Sequence, residues 1–214
     1  MYDNKVMRAL TFLADLVIAN ILYLVCCLGV VTIGAAQSGL FTAMRVMLDK
    51  DDGTPVSRAF FRGLRTGIGK VTVLYSLFEV LLVTLGISMM QMMSAQSNGI
   101  STPLFLVPAA IFLCLMLMSM LTIFHSRFDC SFGQLLKNTF VGTIAFPLQT
   151  AALTLFMCLP VGVCLFAIEW FIRLTPLWIM VYYSIAALLG VGLMQKPFQK
   201  VENLFPEPKE ADPK

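Results

Sequence analysis

The sequence predicts an all-α, polytopic transmembrane helical bundle, and three observations carry that expectation. From Phe12 to Leu48 the chain holds only two charged side chains, Asp15 and Arg45. Further apolar blocks follow at about 71–93, 103–124, 141–168 and 177–194. At about 1.5 Å of rise per residue, each is long enough to cross a hydrocarbon layer ~30 Å thick. Hydrophobic residues make up 58% of the chain and charged ones 13%, with a mean hydropathy of +0.85. Ordinary globular chains carry about 25% charged residues, and these blocks lack the polar face that a water-exposed helix keeps.

Nearly all of the 214 residues are therefore expected in the membrane, as a single transmembrane domain over 1–214. No soluble domain remains to hold a nucleotide or a catalytic core, so the expectation is a protein that is not an enzyme and that binds no nucleic acid. The amino terminus, MYDNKVMRAL, puts Lys5 and Arg8 ahead of an apolar run longer than a cleavable signal core, and it reads as an uncleaved first span.

The first block is expected to hold two elements. One is a full span over about 12–30. The other is a short element over 35–48, roughly 21 Å long and suited to a tilted, re-entrant or protein-buried half-helix. The break falls at Gly29–Gly34, where glycines and β-branched residues make a poor straight helix. Charge distribution motivates the division. Lys and Arg gather before the first block, in 45–70, in 125–140 and after 194, whereas 95–102 has no charge and 169–176 holds Glu169 and Arg173. The positive-inside rule puts the four basic regions in the cytoplasm. An even number of crossings must then separate the amino terminus from 45–70, which gives six elements with both termini cytoplasmic. The rival arrangement has five elements, one long tilted first helix and an external amino terminus.

The 45–70 connection reads as an amphipathic elbow. DKDDG is a turn cluster, Thr54 suits an N-cap and Pro55 the first helical position. Val56, Phe60, Leu64 and Ile68 form a stripe with Phe61 beside it, and Arg58, Arg62 and Arg65 lie off the stripe toward headgroups. Phe60, Phe61, Arg62 and Arg65 are the candidate partner-docking residues. A similar elbow is expected at 125–141, with Phe132, Leu135, Leu136 and Phe140 on its helix, and the two elbows align loosely as a parallel repeat. KPFQKVENLF can form a residual third elbow. The polar tail 205–214 is expected to lack structure.

The stretch ADLVIANILYLVCCLGVVTIGAAQSGLFTAMRVMLDKDDGTPVSRAFFRGLRTGIGKVTVL resembles the signature of the YesL family of bacterial integral membrane proteins. The resemblance rests on Asp15 with Asn20, the Cys-Leu-x-x-x-Thr-Ile-Gly-Ala-Ala run at 27–36, Phe-Phe-Arg at 60–62, and RFD with LLKNTF between 127 and 140. Gly29 stands where members commonly have proline. The family has no known biochemistry. The resemblance implies a multi-pass protein of the bacterial cytoplasmic membrane, from a family often encoded beside oligosaccharide importers. The expected function is a non-enzymatic accessory subunit associated with carbohydrate uptake, with the lipid bilayer, an importer permease or a second copy as partners. The alternative is a small independent transporter or channel with Glu79 in its pathway.

The candidate intramembrane polar site comprises Glu79, Asn20, Thr32, Gln37 and Arg45. Glu79 sits about 13 Å into the 71–93 block, where a carboxylate is expensive unless neutral, paired or wet. It is expected to face the bundle interior beside one of the other four, and to be partly neutral unless Arg45 reaches it, because desolvation raises a carboxyl pKa. Asn20 can bond across helices. Thr32 and Gln37 can satisfy backbone groups freed at the break, and Arg45 can snorkel. Asp15 suits an interface position. Glu169 and Arg173, four apart, are expected to pair, and Trp170, Trp178, Tyr182 and Tyr183 read as an aromatic belt. His125 is a lone histidine. The six cysteines show no zinc spacing, and the many methionines read as packing. No catalytic, cofactor-binding or metal-binding residue is expected, and no cofactor.

Overall fold

The computed structural model describes residues 4–49, 54–95, 103–128 and 130–204. Lys50–Gly53 of the turn cluster, most of the 95–102 connection, Asp129 and the 205–214 tail lie outside these residues. Among the described residues there is no strand, and the chain is all-α as its composition requires. In chain order the helices are α1 (Asn4–Cys27), α2 (Ile33–Leu48), α3 (Val56–Gly67), α4 (Lys70–Ala95), α5 (Pro103–His125), α6 (Phe132–Ala145), α7 (Pro147–Phe166), α8 (Ile168–Arg173), α9 (Thr175–Leu177) and α10 (Tyr183–Leu204). A π-helical turn, Trp178–Tyr182, joins α9 to α10. Among the described residues five helices are long and apolar enough to cross a bilayer: Lys5–Cys27, Lys70–Ser94, Phe105–His125, Pro147–Phe166 and Thr175–Gln199.

The apolar block 141–168 is not one helix. Phe146 has φ −128 and ψ 57, outside the helical region, and Pro147 follows it. The proline ring excludes a helical conformation for its predecessor. Residues up to Ala145 therefore close α6, and only α7 has crossing length. The final apolar stretch runs on without an elbow. Lys196 to Leu204 continue α10 through Pro197, so no third elbow forms.

The break in the first block lies at Leu28–Thr32, where a 3-10 turn covers Val30–Thr32. The Thr32 hydroxyl donates to the Cys26 and Gly29 carbonyls, both at 2.6 Å, and the Gly29 carbonyl also accepts the Thr32 backbone N–H at 2.8 Å, so these bonds tie the break together. Beyond the break, α2 has 16 residues, about 24 Å of helix. It is the most enclosed element of the protein. Gly34 to Phe41, Ala43 and Met44 are all buried, and α1, α3, α4, α5 and α10 pack around them. A helix too short to span can persist in an apolar solvent when neighbouring protein covers it.

Glycines fix how α3 meets α2. A Cβ on Gly39 would stand 2.8 Å from the Phe60 carbonyl oxygen, and one on Gly63 2.9 Å from the Gly39 Cα. A Cβ on Gly67 would stand 3.2 Å from the Ala35 Cα. Residue 67 lies against 35 and residue 63 against 39, so α3 runs antiparallel along α2 with the backbones almost touching. The buried face of α3 is accordingly Val56, Ala59, Phe60, Gly63 and Gly67. Leu64 is half-buried, and Phe61 and Ile68 are exposed. The expected stripe is thus rotated toward the small residues, because close approach favours the face without bulk. The helix starts one residue later than expected, with Pro55 as N-cap.

α6 repeats this fold-back on a looser scale. Its N-terminus carries a capping box, in which the Ser131 backbone N–H donates to Gln134 Oε1 at 3.2 Å. It packs back on α5, with Gly142 against the end of the Met120 side chain. Leu135, Thr139, Gly142 and Thr143 are its buried face, while Phe132 and Phe140 are exposed. Each elbow therefore lies against the helix that precedes it and leads into a crossing-length helix.

Candidate intramembrane polar site

The five candidate polar residues do not come together. Asn20 is fully buried on α1 and faces the π turn. Its side-chain amide donates to the carbonyls of Trp178 at 3.1 Å and Ile179 at 2.6 Å, and its Oδ1 accepts from the Ser184 backbone N–H at 3.0 Å. A π turn shifts the helical ladder by one residue and disturbs its pairing. The carboxamide fills that gap with two donors and an acceptor, so its bonding is internal to the fold. The interhelical bond expected of Asn20 is present, and its partner is backbone.

Arg45 lies in the last turn of α2. One guanidinium nitrogen, Nη1, donates to the carbonyls of Ser126 at 2.9 Å and Arg127 at 3.4 Å, just beyond the end of α5. Nε stands 3.7 Å from Asp49 Oδ2. These carbonyls have no partner within α5 itself, and a guanidinium there also opposes the negative end of the helix dipole. Thr32 is occupied at the break. Gln37 is buried on α2 and does not bond to the break.

Glu79 is the correction. It is half-buried on α4, between buried Phe78 and exposed Val80. None of Asn20, Thr32, Gln37 or Arg45 reaches it, because each is committed elsewhere or lies on another part of α2. Its electrostatic neighbour is Tyr75, one turn earlier on the same helix. The sequence expectation failed because depth along a helix was read without its rotation. Glu79 falls on the flank of the Val71, Leu74, Tyr75 and Phe78 stripe and not at its centre.

The elbow residues separate in the same way. Phe60 is 0% exposed and belongs to the core against α2, so it offers nothing to a partner. Phe61 is 50% exposed, and Arg62 and Arg65 are exposed beside it. In the 169–176 connection Glu169 and Arg173 make no ion pair. The Arg173 guanidinium lies over the Trp170 ring, 5.6 Å from its centroid. Trp178 is buried rather than in a belt, stacked with Phe171 and edge-on to Tyr182. All six cysteines are free. Among the described residues no three His, Cys, Asp or Glu side chains are grouped to hold a metal ion.

Sequence reasoning missed a polar cleft of about 320 Å³ at the ends of α2, α5 and α10, lined by Arg45, Asp49, Arg127, Val191, Gln195 and Gln199. Gln195 and Gln199 are one turn apart, a spacing visible in the sequence, but nothing there placed them beside Arg45 and Arg127.

Residues 16–89 are similar to a family described as a protein of unknown function, DUF624. The match runs from Leu16 on α1 through the break and the α2–α3 pair to Met89 on α4. No curated protein and no solved structure matches the chain. The matched region includes α2, whose residues Gly34 to Phe41 are buried. The family description carries no activity.

Proposed function

We propose that this membrane protein is a non-enzymatic accessory subunit that acts beside a carbohydrate importer in the bacterial cytoplasmic membrane. The observation that carries the reading is the dispersal of the intramembrane polar groups. A transport path would gather Glu79, Asn20 and the break around one cavity. Asn20 instead serves the π turn and Thr32 serves the break, while the cleft at the ends of α2, α5 and α10 is lined by neither Glu79 nor Asn20. The carbohydrate association is supported by the YesL-like signature alone. Contacts to a permease would come from the exposed face of α3, with Phe61, Arg62 and Arg65, since Phe60 is inward.

Topology belongs to the same proposal. Asn20 lies beside Trp178 and Ile179, near the start of the last crossing helix. Gly34, seven residues beyond Cys27, lies against Tyr75. Tyr75 is about 7.5 Å along α4 from Lys70 and about 30 Å from Ala95. We read the last part of α1, Asn20–Cys27, as running from the α9 end of the bundle toward the Lys70 end, with α2 continuing in that sense without returning. Five crossings then put the amino terminus outside and the basic 45–70, 125–140 and 196–200 regions inside. Lys5 and Arg8 are outweighed by the larger basic excess at the other end, as the charge bias permits.

The test is recovery of a tagged full-length chain from native membranes. The accessory reading expects permease subunits of a carbohydrate importer to come with it. Sugar or ion flux by the purified chain alone in liposomes, abolished by Glu79→Gln in a folded protein, would establish the transporter reading instead.

A further inference from the structure

α4 is the least buried of the five crossing-length helices. One of its faces is occupied: Val71, Leu74 and Phe78 are buried, and Cys114 Sγ on α5 donates to the Phe78 carbonyl at 3.6 Å. A second face, about 100° around the helix, is open. Glu79, Val83, Gly86 and Met90 follow one another at steps of four, three and four residues. Those steps keep one side of a helix against a neighbouring helix. Val83 and Met90 are exposed, and a Cβ on Gly86 would meet no atom within 4 Å. Glu79 stands about 13 Å along α4 from Lys70. Among the described residues it makes no hydrogen bond and no ion pair.

The chemistry of this face selects a second copy of the chain. All copies insert in one orientation, so a two-fold axis along the membrane normal sets each position opposite its own equivalent at equal depth. A carboxylic acid both donates and accepts, so two Glu79 side chains that meet there satisfy each other. An aliphatic helix of another protein would leave the carboxyl unmatched in apolar surroundings, where that is costly. Gly86 lets two backbones approach closely, which is what holds helices together in a lipid solvent. We propose that two copies of this chain associate along Glu79, Val83, Gly86 and Met90 of α4. The arginine-bearing face of α3 takes no part, so the proposal stands apart from the accessory-subunit reading. A substitution changes both copies at once, so Glu79→Leu strands no group and leaves an inserted monomer.

The experiment uses the full chain in liposomes over a series of protein-to-lipid ratios. Energy transfer between donor-labelled and acceptor-labelled copies reads the monomer–dimer equilibrium. The parent chain should dimerise. Glu79→Leu and Gly86→Ile should each raise the dissociation constant about tenfold. The isoleucine enters open space in the monomer, so the fold is kept. Glu79→Gln, whose carboxamide still donates and accepts, should dimerise like the parent. So should Leu77→Ala, exposed on the far side of α4. Val83→Cys in a cysteine-free chain should form a disulfide-linked dimer on oxidation, and Thr84→Cys, also exposed but turned away from the seam, should not. A parent chain that stays monomeric at every ratio overturns the proposal. So does a dimer indifferent to either Glu79→Leu or Gly86→Ile, or one weakened equally by Leu77→Ala. Cross-linking of Val83→Cys in native membranes to a different protein, with no self-pairing, gives the face to another occupant and also overturns it.

Discussion

At the scale of single residues, polar groups in this bundle are worth what their partners make them. Asn20 holds two carbonyls of the π turn and one N–H in the first turn of α10. Asn20→Leu removes all three bonds and leaves the backbone groups without water to replace them. The expected loss is about 1–3 kcal/mol, with membrane-embedded bonds toward the lower part of that range. It should appear as a lower unfolding midpoint in detergent, absent in Thr84→Ala, whose exposed hydroxyl bonds only to Val80 on its own helix. Glu79 gives the opposite expectation. With no hydrogen-bonded partner to strand, Glu79→Leu and Glu79→Gln should both accumulate to parental levels in the membrane. Loss of the Leu variant with survival of the Gln variant would reveal a partner that this account denies.

At the scale of elements, the α2–α3 pair is built on missing side chains. Gly63→Ala would put a Cβ 2.5 Å from Thr42 Oγ1 and 2.9 Å from the Gly39 Cα. Backbone cannot yield there, and the expected loss is about 1–3 kcal/mol, as for other overpacked sites. Gly86→Ala, in open space on α4, should be neutral or slightly stabilising, because alanine is the better helix former. The two phenylalanines of the elbow part company in the same assay. Phe60→Ala should cost about 3–5 kcal/mol, as for a buried aromatic ring. Phe61→Ala should leave stability nearly unchanged and act, if anywhere, on partner recovery.

The sequence made the existence and rough limits of these elements legible, since apolar length and turn residues report them directly. It misjudged rotation. Depth placed Glu79, and a four-residue stripe placed Leu64 and Ile68, but the face a helix presents is decided by where small residues let a neighbour approach. Arg45 was legible as a helix-end cation. The carbonyls it serves come from residues 126 and 127, 81 and 82 positions away in sequence, and no local pattern announces them.

At the scale of the whole molecule, the proposed topology depends on α2 as a protein-covered half-helix that carries the chain onward rather than back. Charge counting alone favoured six elements, since Lys5 and Arg8 resemble the basic loops. The proposed topology instead has five crossings and termini on opposite faces, with the contacts of Asn20 to the π turn and of Gly34 to Tyr75 as its support. The most direct measurement is membrane-impermeant thiol labelling of intact cells, with single cysteines placed in a cysteine-free chain. Lys5→Cys should label from outside, while Arg58→Cys and Lys196→Cys should label only after the membrane is opened. A Lys5→Cys chain that stays unlabelled until lysis, with Arg58→Cys behaving alike, would contradict the account and restore the six-element bundle.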